Sequence, residues 1–300
     1  MTPLEYRWAH AVNSNALLAA VQCQIQEAKQ RHFATSDLVN AIEADIIWSE
    51  AKGTPVMGHP PATDGDLTLA HFLDAMLELA AKFQSSMPSN ETPLIVKLDF
   101  KSSRAFEKSI EELAKFVAQY PFSKGIFINA DILPGPANSN LVAFDAATFL
   151  KQVNDLGECD SGKHRHKLVL SVGWTTSNAN EEEIHREYSS AMVDDMLRVL
   201  KPYGDSVTVT FPLRATSVRK SWPALRPLLE PKNFGFTLWW AISQMSDDEL
   251  EWLFSTLELE THEDGNGGQT TYAGQTFYDI KGFDSFLARR GYSPSTKLQN

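Results

Sequence analysis

The chain has 300 residues, 43% hydrophobic and 22% charged, the balance of a soluble globular protein with a sizeable core. A formal net charge of −11 argues against strong binding to duplex nucleic acid or an anionic membrane surface, since both depend on a basic footprint. Its two cysteines, Cys23 and Cys159, lie far apart without metal-ligand spacing, so we expect buried reduced thiols and neither a disulfide framework nor a zinc site.

Strand-like and helical runs alternate along the chain. Strands are expected over 6–10, 41–47, 94–100, 125–129, 167–172, 206–211, 234–239 and, weakly, 276–280. Helical spacing falls between them, over 15–29, 68–83, 104–119, 146–156, 181–200, 221–229 and 247–257. Ser102 and Ser103 supply an N-cap where the third helix begins, and Glu181, Glu182 and Glu183 suit the positive end of a helix dipole. Seven or eight such units without a linker indicate an α/β fold, a single (β/α)8 barrel spanning 1–300. The stretch 258–274, with Gly265, Gly267, Gly268 and Gly274, lacks the context of a phosphate loop and reads as a flexible surface insertion. His164 and His166 fall in a polar loop. Residues 1–6 show no basic-then-apolar leader, and no run approaches the roughly 18 apolar residues of a spanning helix. A cytoplasmic protein without a transmembrane segment is therefore expected.

The chemistry lies in the strand period. In 40–47, side-chain alternation sends Glu43 and Asp45 to one face and Ile42, Ala44 and Ile46 to the other. The segment 94–101 repeats the device, with Lys97, Asp99 and Lys101 opposite Val96, Leu98 and Phe100. Charge on so apolar a strand is costly unless paired or metal-bound. Glu43, Asp45 and Asp99 converging on one point would hold a hard divalent cation, and oxygen-only ligation favours Mg²⁺ or Ca²⁺ over zinc. Structural ion pairs with Lys97 and Lys101 are the competing explanation.

Active sites of such barrels lie at the C-terminal ends of the strands. There the sequence delivers His10 with Asn13, Glu43 with Asp45, His59 in the following loop, Asp99 with Lys101, Asn129 with Asp131, then Trp174, Arg214 and Trp239. Two imidazoles beside three carboxylates equip a site for metal-assisted cleavage of a phosphodiester. Lys97, Lys101, Asn129 and Arg214 are candidate substrate-binding residues, and Trp174 and Trp239 are expected at the rim of the same pocket.

These blocks resemble, in order, those of the menorin family. They are 8–14 (Trp8 to Ser14), Ile42-Glu43-Ala44-Asp45, His59-Pro60-Pro61, Lys97-Leu98-Asp99-Phe100-Lys101, Asn129-Ala130-Asp131-Ile132-Leu133, 170–176 around Trp174, 210–215 around Arg214, and Thr237-Leu238-Trp239. The family is similar in turn to the phospholipase-C-like phosphodiesterase barrels, including glycerophosphodiester phosphodiesterases and sphingomyelinase D toxins. That resemblance implies a phosphodiesterase barrel in which His10 and His59 form the acid–base pair. It implies Glu43, Asp45 and Asp99 as ligands of one cation, with Lys101 facing the phosphate. His10-Ala11-Val12 departs from the His-Arg-Gly of the glycerophosphodiesterases, so their substrate does not carry over. The expectation is a metal-dependent phosphoric diester hydrolase or lyase acting on a small-molecule, lipid-derived or nucleoside phosphodiester, through hydrolysis or a cyclic phosphate. Two alternatives stand beside it: a catalytically silent barrel serving as a binding or scaffold module, and a metal-dependent lyase or aldolase in which Lys97 forms a Schiff base or acts as base.

Overall fold

The computed structural model describes residues 1–30, 38–84, 94–136, 143–158, 162–177, 181–203, 207–263 and 267–292. In chain order the strands are β1 (Trp8–Ala9), β2 (Ala41–Ser49), β3 (Thr54–Met57), β4 (Ile95–Phe100), β5 (Ile126–Leu133), β6 (Leu168–Trp174), β7 (Thr208–Arg214), β8 (Phe234–Trp240), β9 (Thr261–Glu263), β10 (Gln269–Thr271) and β11 (Thr276–Ile280). The helices are α1 (Asn15–Gln30), α2 (Leu69–Gln84), α3 (Ser103–Gln119), α4 (Ala146–Glu158), α5 (Glu181–Ile184), α6 (Ser190–Leu200), α7 (Ala215–Leu225), α8 (Asp247–Phe254) and α9 (Phe283–Arg289).

Eight strands run parallel in the order β1-β2-β4-β5-β6-β7-β8-β11, with helices between them, which makes a single, nearly closed (β/α)8 barrel. Alternation along each strand divides the buried residues in two. Ile42, Ala44, Ile46, Val96, Leu98 and Phe100 face outward into the main core shared with the helices. Ala41, Ile95, Phe127 and Val169 face inward and, with Tyr6, form the apolar layer of the lower lumen. Above that apolar plug the inward positions become polar, so the plug is a floor on which the site is built.

Closure between β1 and β11 is made by side chains. Phe277 packs against Tyr6, Trp8 and Phe127 at ring-centroid distances of 5.7, 6.4 and 5.3 Å, and His10 Nδ1 lies 2.6 Å from Asp279 Oδ2.

Several expectations need correction. The helix expected over 181–200 is interrupted, because Tyr188 turns inward to pack edge-on against Trp174, ring centroids 5.3 Å apart, and donates its backbone N–H to Ser221 Oγ, after which Ser189 caps α6. β3 and α9 were not anticipated, and α7 starts at Ala215, ahead of the expected 221. Within 258–274, β9 and β10 pair as an antiparallel hairpin, and Glu258 is buried, accepting from Tyr278 Oη at 2.8 Å and Gly274 N–H at 2.9 Å. Cys23 is exposed on α1, not buried. Cys159, Gly265 and residues 178–180 lie outside the described residues. No helix among the described residues is long and apolar enough to cross a membrane.

Removing the aromatic pin of the seam tests this account. Phe277→Ala should cost about 3 kcal/mol, the lower end for a buried phenylalanine because the ring is only partly covered. Urea melts of the two proteins measure it.

Candidate active site

Strand register sets the site. β2 and β4 pair Glu43 with Lys97 and Asp45 with Asp99, β4 and β5 pair Asp99 with Asn129, and β5 and β6 pair Asn129 with Ser171. All of these side chains point into the upper lumen, and all are buried. Lys101 Nζ stands between two carboxylates, 2.8 Å from Asp99 Oδ2 and 3.2 Å from Asp45 Oδ1. Lys97 Nζ lies lower, 3.8 Å from both Glu43 Oε1 and Asp99 Oδ2. Asn129 Nδ2 donates to Asp99 Oδ1 at 2.7 Å, and Ser171 Oγ donates to Asn129 Oδ1 at 2.5 Å.

The turn after β1 grips the acids of β2. Ala11 takes a positive φ of 55°, a region costly for a residue with a Cβ, and there its N–H donates to Glu43 Oε2 at 2.7 Å. Asn13 brackets Asp45 twice, its Nδ2 donating to Oδ2 at 2.7 Å and its Oδ1 accepting from the Asp45 N–H at 2.8 Å. The segment 10–13 thereby holds His10 over the cluster, with Nδ1 3.6 Å from Glu43 Oε2.

These placements set the charges. Burial alone would lower the His10 imidazole, but the Glu43 carboxylate and the hydrogen-bonded Asp279 outweigh it and raise the pKa to about 9. Burial and the neighbouring Asp45 raise Glu43. Burial would also raise Asp99, yet Lys101 and Lys97 hold it well below the usual carboxylate range. Against the same desolvation, the acids keep Lys97 above and Lys101 well above the ordinary lysine value. Asp131, inward-facing at the end of β5, is pushed up to about 7 by burial despite Lys101.

Glu43, Asp45 and Asp99 each offer an oxygen, and these atoms lie within 4.8 Å of one another. That all-oxygen set fits a hard divalent cation, with the Lys101 ammonium as its competitor for Asp45 and Asp99.

His59 reaches the mouth by a different route. β2 runs past the lumen, β3 returns antiparallel from Thr54 to Met57, and the Gly58 N–H closes onto the Asp45 carbonyl at 2.9 Å. His59 follows at once, exposed, with Nδ1 donating to the Pro60 carbonyl at 2.6 Å and Nε2 left available. Arg214 and Trp239 are paired in register on β7 and β8 and face inward, the guanidinium 5.4 Å from the indole centroid and bonded to the Ser177 carbonyl at 2.7 Å. Trp174 does not join them. It is 1% exposed, pointing outward between Tyr188 and Phe211, and the expectation that it lines the rim is withdrawn. The partner that sequence reasoning missed altogether is Asp279.

The family model for the menorin N-terminal domain matches residues 3–260. The human Protein FAM151B is 32% identical over 239 residues, covering 78% of this chain and 72% of that protein. The chain belongs to the menorin family. Among solved structures, the menorin-family barrel is similar to the Ignisphaera aggregans GH53 catalytic domain at 11% identity, TM-score 0.40, with 97% of this chain and 92% of that one covered. A second likeness is the 7,8-dihydropteroate synthase from Vibrio fischeri ES114, also 11% identical, TM-score 0.31, covering 78% and 86%. Scores this low add nothing to what the strand order of the menorin-family chain already establishes.

The His10–Asp279 pair gives a pH signature. Because the folded pKa of about 9 lies above the ordinary imidazole value of 6.5, the stabilisation is complete below about pH 6.5 and is lost as the pH rises through about 9. In metal-free protein, Asp279→Asn should move the His10 titration downward, because burial is the largest influence on the ring and Glu43 alone does not outweigh it. An NMR titration of the His10 ring nitrogens reads both values.

Proposed function

We propose that this protein is a metal-dependent phosphodiesterase, and the observation that carries the reading is the convergence of Glu43, Asp45 and Asp99 within 4.8 Å beneath His10. A Mg²⁺ or Ca²⁺ ion held by those three acids would supply Lewis-acid stabilisation of charge developing at phosphorus. His10, kept protonated by its Asp279 partner, is placed to donate to the leaving oxygen. His59 holds its Nδ1 proton on the Pro60 carbonyl, so Nε2 is the atom suited to receive a proton from the attacking water or hydroxyl. Lys101 and Arg214 add positive charge for the phosphate oxygens, and Trp239 offers an apolar wall for the remainder of the substrate. A lipid-derived or nucleoside phosphodiester fits that mixture better than a bare one. If the substrate carries a hydroxyl beside the phosphate, attack by that hydroxyl releases a cyclic phosphate.

A silent, scaffold barrel is the second reading, favoured by the Lys101 bridge that already neutralises Asp45 and Asp99. The Schiff-base reading loses ground. Lys97 is held protonated by Glu43 and Asp99, the reverse of what an amine nucleophile requires.

Isothermal titration with Mg²⁺ and Ca²⁺, followed by assay on bis-p-nitrophenyl phosphate, separates the two readings. Saturable binding that disappears in Asp99→Asn, with activity lost alongside it, supports the enzyme; no binding and no turnover supports the scaffold. His10→Ala and His59→Ala should each lose about 10²-fold or more in rate. Near wild-type rates in either variant remove that histidine from the mechanism.

The tryptophans divide by position. Trp239→Ala should lower kcat/KM for an extended substrate and spare the minimal one. Trp174→Ala should instead cost about 3 to 5 kcal/mol of stability and affect both substrates alike. Paired kinetic assays and a thermal melt distinguish them.

A further inference from the structure

The end of the barrel opposite the acidic cluster is not sealed. A cavity of about 330 Å³ enters there into the apolar lower layer itself, walled by Tyr6, Phe127, Val169, Phe234 and Phe277. Its volume falls at the small end of the roughly 300–1,000 Å³ typical of ligand pockets. Thr210 lies at its inner end, where its hydroxyl is bonded to that of Thr237 at 2.8 Å. That pair and the Asn129–Ser171 bond stand between the cavity and the carboxylates above, so the two sites are separate.

Charge is the second observation. The chain carries 38 acidic and 27 basic residues, yet no acidic residue lines this cavity, whereas two lysines do. Lys232 is positioned by its bonds to Thr270 Oγ1 at 3.0 Å and the Thr271 carbonyl at 3.1 Å. Lys124, from the loop before β5, has no hydrogen bond or ion pair among the described residues. Partial desolvation draws its pKa below the ordinary lysine value, as expected for a cation set against apolar walls without a counter-ion.

We propose that this cavity binds a single-chain anionic amphiphile, its tail among Tyr6, Phe127 and Phe277 and its head group against Lys124 and Lys232. Aromatic walls argue against a small inorganic anion, and the two lysines argue against a neutral or cationic lipid. The head group is a carboxylate or a phosphate monoester, chemistries that both lysines accept.

Calorimetric titration of the full chain with decanoate and with decyl phosphate, below their micelle concentrations, tests the assignment, with decyltrimethylammonium as the cationic control. The expected result is saturable one-to-one binding of at least one anion, and which of them binds identifies the head group. Lys124→Glu should weaken that binding by about tenfold or more. Thr208→Trp, which fills the cavity from β7, should abolish it. Lys124 is solvent-exposed, so its variant keeps the fold and the test stands even if Thr208→Trp does not. Absence of saturable binding by both anions, unchanged affinity in Lys124→Glu, or equal affinity for the cation would overturn the proposal.

Discussion

The upper half of the barrel depends on one ammonium group. Asp45 and Asp99 face each other at the same level of adjacent strands, and two carboxylates so placed would repel. Lys101 Nζ, within 3.2 Å of both, offsets that repulsion and holds Asp99 ionised, while Lys97 stands one level lower, 3.8 Å from Glu43 and Asp99. Removing one member of such a buried network costs about 3 to 5 kcal/mol, because its partners are left as uncompensated charges. Barrel interiors are ordinarily filled by branched apolar side chains, and this one follows that pattern only in its lower layer. Stability therefore resides in the plug and in the outer core, which frees the upper lumen to hold charge.

Much of this was legible in the sequence because a strand has a period of two. The same parity that puts Glu43 and Asp45 together places Ile42, Ala44 and Ile46 in the outer core. Applied consistently, it would also have placed Trp174, which shares parity with Leu170 and Val172, on the outside, and Arg214 and Trp239 on the inside with Thr210 and Thr237. Trp174 ends its strand on the barrel's rim side, yet its parity turns the indole into the outer core.

What sequence could not supply were contacts between remote segments. Asp279 is 269 residues from His10, on a strand whose weak pattern gave little reason to look for a functional acid. The break between α5 and α6 likewise follows from Tyr188 finding Trp174 and Ser221, a tertiary demand that overrides a continuous helical pattern. β3 was hidden because its four residues, one of them Pro55, are too few to show a period. Its effect is nonetheless large, since the hairpin it forms with β2 brings His59 back to the level of Asp45.

The seam has a kinetic meaning as well. Seven of the eight joints between neighbouring barrel strands are backbone ladders, whereas β1 and β11 have no ladder between them among the described residues. Backbone groups along that joint lack the mutual protection that ladders give, so amide hydrogens there should exchange with solvent through smaller openings than those of β4 to β7. The ion pair between His10 and Asp279 spans this same joint, which makes His10 a fastening of the barrel. Local opening of the fold and the protonation of His10 are thereby coupled, and whatever loosens one will be felt by the other.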